Sequence, residues 1–336
     1  MMNSKRCVLV IGSNSFTGSH FVNYVLDKTD ANVVGISRSS EYNSVFLPYR
    51  YRKAVSGRFR FEQIDINRDF DEFIRLCEVV CPEIVVNYAA QGEVRNSWRW
   101  PEQWYETNCL GVVRVAEFLK DREYLKKYVA VSTPEVYGTT GEQIKEGHTY
   151  HPSTPYAASK LAGDLHLLVL HKRYGFPVVF TRAANLYGIH QQLYRIIPRA
   201  TIYMKLGRKL ELHGRGQAER AFIHARDVAD LTWRAIEKGK NGETYHLAPD
   251  DGLRNIASIV RTICNRMNVP FEKAVDLVDE NYGQDARFSM DNGKVKRELG
   301  WTQRVQFEDG VDETIRWIEE NWTFLRQQPL DYFHKE

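Results

Sequence analysis

Residues 7–26 read CVLVIGSNSFTGSHFVNYVL: a short apolar run that meets a glycine and passes at once into an amphipathic stretch. Cys7 to Ile11 predict a strand, Gly12 a tight turn, and the residues after it a helix. A strand, a glycine turn and a helix N-terminus make a cradle for a pyrophosphate. Backbone N–H groups and the helix dipole face the anion, and glycine lets the backbone come close. The small residues stand at Gly12, Ser15 and Gly18, so serine replaces the middle glycine of a Gly-x-x-Gly-x-x-Gly pattern. Ser15 is small and its hydroxyl can bond a phosphate. The same stretch also serves as a plain strand-to-helix turn, and its context has to choose.

Strands and helices alternate onward from this unit. A second strand is predicted over Asn32 to Ile36, a third over Arg58 to Ile64, and a helix over Asp69 to Val80. A strand over Ile84 to Asn87, a helix over Pro101 to Leu119 and a strand over Lys127 to Ser132 follow. Then come a helix over Tyr156 to Tyr174 and a strand over Pro177 to Thr181. This alternation predicts an α/β fold with a doubly wound parallel sheet, which binds ligands at the carboxyl ends of its strands. After about residue 185 the alternation loosens. Residues 1–185 therefore read as a dinucleotide-binding domain, to which some later segments return. Residues 186–336 read mainly as a smaller mixed α/β lobe packed over the sheet for the substrate. There a helix over Arg195 to Leu206 is expected, a strand over Thr244 to Leu247 and a helix over Asn255 to Asn268. Two short helices and a last helix over Phe307 to Leu325 come next, and the tail QQPLDYFHKE reads as loose.

The ends of the predicted strands carry the chemistry. The second strand runs into Ser37, Arg38 and Ser39, where an NAD enzyme usually has an acid for the ribose diol. An arginine among hydroxyls suits a 2′-phosphate, so NADP is the expected cofactor, with a solvated loop charge as the plain alternative. Asp65 and Ile66 follow the third strand, where a carboxylate can accept from an adenine amino group. Tyr88, Ala89 and Ala90 follow the fourth, and small residues there let the backbone pass close to the cofactor. The fifth strand runs into Ser132, Thr133 and Glu135. Tyr156 and Lys160 then stand one helical turn apart. A nearby ammonium favours phenolate and lowers a tyrosine pKa from about 10 towards neutrality, which would make Tyr156 a base for a hydroxyl or an acid for a ketone. Thr133 adds a short hydroxyl donor. Later, Arg215, Arg220 and Arg226 form a run on which a diphosphate substrate could be held, or a solvated basic loop.

Composition excludes other classes. The chain has 336 residues, a net charge of +3, 43% hydrophobic and 26% charged residues. That pattern has no nucleic-acid or membrane footprint. There is no membrane-length apolar run and no signal peptide ahead of the first strand. The five cysteines (7, 77, 81, 109 and 264) show no metal-ligand spacing and read as reduced, mostly buried thiols of a cytoplasmic protein.

Nearly the whole chain resembles the extended short-chain dehydrogenase/reductases that modify nucleotide sugars. The matching stretches are GSNSFTG (12–18), VVNYAAQ (85–91), TNCLG (107–111), VSTPEVYG (131–138), YAASK (156–160), RAANLYG (182–188), HGRGQAERAFIHARDVAD (213–230) and RELGW (297–301). Within that family the Thr-x-Glu-Val-Tyr-Gly signature is most similar to the nucleoside-diphosphate-hexose 4,6-dehydratases. SRSSEYN (37–43) is similar to the GDP-mannose branch, which uses NADP, and the surroundings of Glu135 to the dTDP-glucose branch. The resemblance implies a Rossmann-type fold and a homodimer joined through the helices near residues 101–119 and 156–174, where Leu161, Leu165, Leu168 and Val169 are apolar.

It also implies roles. Tyr156 would take the 4-hydroxyl proton of the sugar, Lys160 would hold the nicotinamide ribose, and Thr133 would bond the 4-oxygen. Glu135 would abstract H5, after which water leaves from C6. Asn14, Phe16, Thr17 and Asn108 fall in motifs that contact the cofactor. Gln91, Glu93, Asn185, Arg220 and Arg287 fall where the substrate is held. Two positions depart from the family. Pro134 stands where the dTDP-glucose enzymes have an acid for the leaving hydroxyl, so Glu135 would serve both steps, as in the GDP-mannose branch. Gln91-Gly92-Glu93 stands where a Ser-His is usual, which bears on the sugar. The alternatives on this scaffold are a 4-epimerase or another keto-sugar dehydratase, which would not need Glu135 as this base, and a non-catalytic nucleotide-binding regulator, which would not need an activated phenol.

Overall fold

The computed structural model describes residues 6–54, 56–147, 149–279, 287 and 289–334. Seven strands form one parallel sheet. They are β1 (Cys7–Ile11), β2 (Asn32–Ser37), β3 (Phe59–Gln63), β4 (Ile84–Asn87), β5 (Lys127–Ser132), β6 (Val178–Ala183) and β7 (Thr244–Leu247). Their order is β7-β6-β5-β4-β1-β2-β3, with every pair parallel. The order reverses beside β1, the topological switch point at which such sheets bind ligands.

A parallel sheet is covered on both faces, and β1 shows how. Leu9 and Ile11 join the core on one face, and Val8 and Val10 join the core on the other. Helices α2 (Phe70–Val80), α4 (Gly111–Leu119) and α5 (Pro155–Tyr174) cover the first face. Helices α1 (Phe16–Lys28) and α7 (Ala225–Lys238) cover the second. Each fully buried Val, Leu, Ile or Phe contributes about 1.5–3 kcal/mol. The second lobe has its own core, in which Ile197 of α6 (Ile196–Lys205), Ile259 and Ile263 of α8 (Ile256–Met267) and Val311 of α9 (Phe307–Glu320) meet Leu210 and Tyr187.

Several boundaries differ from the sequence reading. The helix expected over Pro101 to Leu119 is interrupted. Helix α3 (Pro101–Tyr105) passes through a π turn, Glu106–Leu110, into α4. The last helix divides at Asn321, whose side chain donates to Trp317 O and Tyr51 Oη (2.8 Å each). Of the two short helices expected before it, the described residues form one, Gly293–Leu299. Residues 301–306 form no helix, and there the backbone amides of Arg304 and Val305 both donate to the Asp227 carboxylate (3.1 Å). The described part of the tail is packed rather than loose. Asp331 bonds Arg199, and His334 lies parallel to Trp100 and Trp104. Among the five free cysteines, Cys77 and Cys264 are buried and Cys81 is exposed. Among the described residues no helix is long and apolar enough to cross a membrane.

Among the described residues, the rings of His20, His190 and His246 are buried without a carboxylate in hydrogen-bond reach. Burial holds His20 down to about 3, with His190 adding to the effect, and holds His190 down to about 4. Burial, then Arg182, holds His246 down to about 3. Each is neutral when folded and binds a proton when unfolded below its ordinary value. Their contribution is complete above about pH 6.5 and falls by about 1.4 kcal/mol per histidine for each pH unit below it. The urea midpoint should therefore drop clearly between pH 7.5 and pH 5.5. An unchanged midpoint would mean that these rings are not held neutral.

Candidate active site

The cradle forms where β1 meets α1. Gly12 has φ +84°, and a Cβ there would sit 2.7 Å from Ala89 N and 2.9 Å from Tyr88 C. A Cβ on Gly18 would collide with Gly12 O. Backbone thus packs on backbone, and the N-terminus of α1 is left open, with Ser15, Phe16 and Thr17 on the cleft wall. Ser15 caps the helix by accepting from Gly18 N (3.0 Å), which leaves its hydroxyl proton free to donate. The turn's own amides are already used, Gly12 and Ser13 donating to Ile36 O and Ser15 to Gly12 O, so the cradle fits a dinucleotide pyrophosphate at the first-turn amides of Phe16 and Thr17.

The loop after β2 is tied to the cradle. Asn14 N donates to Ser37 Oγ (3.0 Å), and Asn14 Nδ2 donates to Ser39 O (2.9 Å) and Ser40 O (2.8 Å). Arg38 is exposed between them and lines the cleft. After β3, Asp65 accepts from Asn67 N (2.9 Å), and Ile66 is buried. Neither lines the cleft, whereas Tyr88 and Ala90 after β4 do. Asn108, in the π turn, is 1% exposed. Its amide exchanges two hydrogen bonds with the Gln91 backbone and donates to Ser159 Oγ (3.0 Å), so it fixes the β4 loop to α5 from behind the cleft wall.

Thr133, Glu135, Tyr156 and Lys160 line the same cleft. Two caps bring them there. Thr133 follows β5 and caps the turn Pro134–Tyr137 by accepting from Glu135 N, which sets Glu135 at the carboxyl end of the strand. Thr154 caps α5 by accepting from Ala157 N (3.1 Å), and Pro155 opens the helix, so Tyr156 falls in its first turn. The Thr133 hydroxyl, which accepts from Glu135 N (3.3 Å), lies near enough to the Tyr156 phenol to lower it. Burial, followed by the Glu135 carboxylate, raises the Tyr156 phenol, against the lowering by Thr133 and Arg195. The direction is opposite to that expected from the Tyr-x-x-x-Lys spacing. Lys160 Nζ donates instead to Val131 O (2.8 Å), and its own pKa is lowered by burial, supported by Asp164 and lowered further by Arg182.

Sequence reasoning missed the polar layer beneath. Asp164, one turn beyond Lys160, accepts from Ser132 Oγ and from Arg182 Nη2 (3.1 Å). Arg182 also donates to Tyr137 Oη, which meets His246 Nε2 at 2.9 Å. A carboxylate four residues after Lys160 on the buried side of the helix was the available signal.

On the substrate side, Gln91, Glu93, Asn185 and Arg220 line the cleft. Glu93 does not simply face the ligand, because its carboxylate accepts from Asn96 N (2.7 Å) and caps the short helix Val94–Ser97. The arginine run divides. Arg220 reaches the cleft, Arg215 pairs with Asp279 (3.4 Å) and Arg226 with Glu313 (2.7 Å). Arg287 does not line the cleft and stands 3.7 Å from Glu219, while its neighbours 283–286 and Phe288 in GQDARF lie outside the described residues. In place of this run, Arg195 and Arg199, four apart at the start of α6, line the cleft with Tyr194. Their helical spacing directly after RAANLYG was the overlooked signal. The cleft measures about 1310 Å³, more than the ~300–1,000 Å³ of a site for one small ligand. It has room for a dinucleotide and a second ligand end to end.

The family model described as GDP-mannose 4,6 dehydratase matches residues 9–314. The chain is 28% identical over 344 residues to the dTDP-glucose 4,6-dehydratase of Haemophilus influenzae, covering 94% of this chain and 98% of that one. It is 30% identical over 343 residues to the dTDP-glucose 4,6-dehydratase of Shigella flexneri, covering 94% of each. Among solved structures, it superposes on DesIV, a dTDP-glucose 4,6-dehydratase of Streptomyces venezuelae with NAD bound. The TM-score is 0.86 and the identity 29%, over 95% of this chain and 98% of that one.

Proposed function

The chain belongs to the GDP-mannose 4,6-dehydratase family, and on that footing we propose that it is a nucleoside-diphosphate-hexose 4,6-dehydratase. The observation that carries the reading is Glu135 on the same cleft wall as Thr133, Tyr156 and Lys160. An epimerase needs the phenol and the ammonium but no such carboxylate beside them.

NAD(P) bound at the cradle supplies the acceptor that oxidises sugar C4 and restores the electrons at C6. The chain's own groups handle the protons. Tyr156 receives the proton of the 4-hydroxyl, and Thr133 donates to the 4-oxygen. The Tyr156 phenol is raised in the free cleft, so it becomes a base only when positive charge gathers beside it from Lys160 and the bound cofactor. The ketone at C4 then acidifies H5. Glu135 takes that proton and delivers it to the departing 6-hydroxyl, since the residue before it, Pro134, has no proton to give; when the electrons return at C6, C5 takes up one proton, which balances the one Tyr156 received from the 4-hydroxyl. We assign Arg220, Arg195 and Asn185, which line the cleft, to the diphosphate and sugar, and Asp164 supports the charged form of the buried Lys160 against burial and Arg182.

NADP is the cofactor we favour, because Arg38 stands on the cleft wall at the end of β2, with hydroxyl residues on either side. We also propose a homodimer. Leu165 (44% exposed) and Val169 (60% exposed) are four apart on the outer face of α5, near exposed Tyr105 and Leu110 of the neighbouring helical segment, whereas Leu168 turns inward to the core.

Incubation with a panel of nucleotide hexoses, read by mass spectrometry, should yield a product lighter by one water. Glu135→Gln should cut that rate by about 10²–10⁴-fold. An isomer of unchanged mass, or full dehydration by the variant, would overturn the reading. Arg38→Ala should weaken NADP binding about 10–100-fold while leaving NAD within about twofold, and equal losses for both cofactors would remove the NADP preference. Sedimentation should give a dimer for the parent and a monomer for Leu165→Glu/Val169→Glu. A dimer that survives both charges would place the interface elsewhere.

A further inference from the structure

The last described residues cross the open side of the cleft. Asp331 Oδ1 accepts from Arg199 Nη2 (3.2 Å) on α6, in the second lobe. Three residues on, the His334 ring lies parallel to Trp100 (4.7 Å, 9°) and Trp104 (5.2 Å, 12°) and bonds Gln103 Oε1, at α3 beside the sheet. The run therefore joins the two sides of the cleft. Between its anchors Tyr332 lines the cleft and meets Tyr194 edge-on at 5.2 Å.

Charges from three directions reach the Tyr332 phenol. Burial, then Tyr194 and Glu93, push it up to about 12, while Arg38 and Arg195 act the other way. Arg38 belongs to the loop after β2, Glu93 to the loop after β4, and Arg195 to the start of α6. One side chain thus stands where the cofactor end and the sugar end of the cleft meet. Among the described residues the anchors are side-chain contacts, and no backbone–backbone hydrogen bond ties Asp331 to His334 to the rest of the chain, so the run can open to admit ligands and close again.

We propose that Tyr332 is a ligand-contacting residue of this cleft, carried by a C-terminal strap, Asp331 to His334, that closes over the bound cofactor and sugar nucleotide. The inference rests on the dehydratase reading in one respect. That reaction returns to the sugar the electrons taken from it, so the reduced cofactor and the keto sugar have to stay together between the two steps. A strap over both retains them. His334 is a positioning residue in this scheme, acting through its stack on Trp100 and Trp104.

The test uses the full chain, a chain ending at Pro329, His334→Ala and Phe333→Ala. The last is a control in the same run, with a side chain 68% exposed. The NADPH dissociation rate is measured by stopped-flow fluorescence, and KM for the accepted nucleotide hexose is measured beside it. The shortened chain and His334→Ala should release NADPH about tenfold faster or more, with a raised KM and an unchanged melting temperature. Phe333→Ala should match the parent. Release and KM within about twofold of the parent in the shortened chain would overturn the strap. If that chain does not fold, the same result in His334→Ala overturns it. Dissociation is read without sugar chemistry. A protein that binds NADPH and dehydrates no nucleotide hexose therefore defeats the dehydratase reading alone.

Discussion

A carboxylate and a guanidinium, Asp164 and Arg182, meet 3.1 Å apart with side chains 8% and 1% exposed. Much of this molecule depends on that pair. Asp164 belongs to α5, the helix that carries Tyr156 and Lys160, and Arg182 belongs to β6. Ser132 at the end of β5 bonds the same carboxylate, and Tyr137 and Tyr150 share the guanidinium, whose centre lies 4.9 and 5.0 Å from their rings. Removing one partner of such a pair costs about 3–5 kcal/mol, because the other charge is left buried. The constraint is therefore geometric. The helix can dock on β5 and β6 in only one register, and that register delivers the phenol and the ammonium to the carboxyl ends of the strands.

The same pair shapes the electrostatics above it. Lys160 is buried, which favours its neutral form, and Arg182 pushes the same way. Asp164 opposes both, one turn away on the same helix. The cleft floor is thus a balanced set of charges, and the phenol on top of it is raised by burial and by Glu135. A site poised in this way responds strongly to positive charge arriving beside it, which is what a proton-transferring tyrosine requires.

The reading from sequence was strongest where a residue's task is set by its near neighbours. The β1 run, the Gly12 turn and the α1 start could be read together because the strand, the turn and the helix cap are contiguous. Thr133, Glu135, Tyr156 and Lys160 were grouped for a similar reason: one pair ends a strand, the other opens a helix, and both ends of a βα unit lie on one side of the sheet. The reading weakened where the task is set across the fold. Arg215, Arg220 and Arg226 are close in sequence, yet a 3-10 turn, a strand and a helix start send them to three different partners. Glu93 reaches the cleft, yet its carboxylate also caps a helix, a task not read from its neighbours. The tail looked polar and loose because nothing near it in sequence announces Trp100 and Trp104.

The sequence by itself determined the order of strands and helices, the parallel sheet, the phosphate cradle and the chemical kinds of groups at the strand ends. These follow from periodicity, glycine freedom and helix capping, all of which act over a few residues. Only the tertiary structure decided the direction of the Tyr156 shift, the partnership of Asp164 with Arg182, the choice of Arg195 over Arg215 for the cleft, and the path of the tail across its mouth. Burial and charge depend on distance in space, and those distances exist only once residues far apart in the chain are packed side by side.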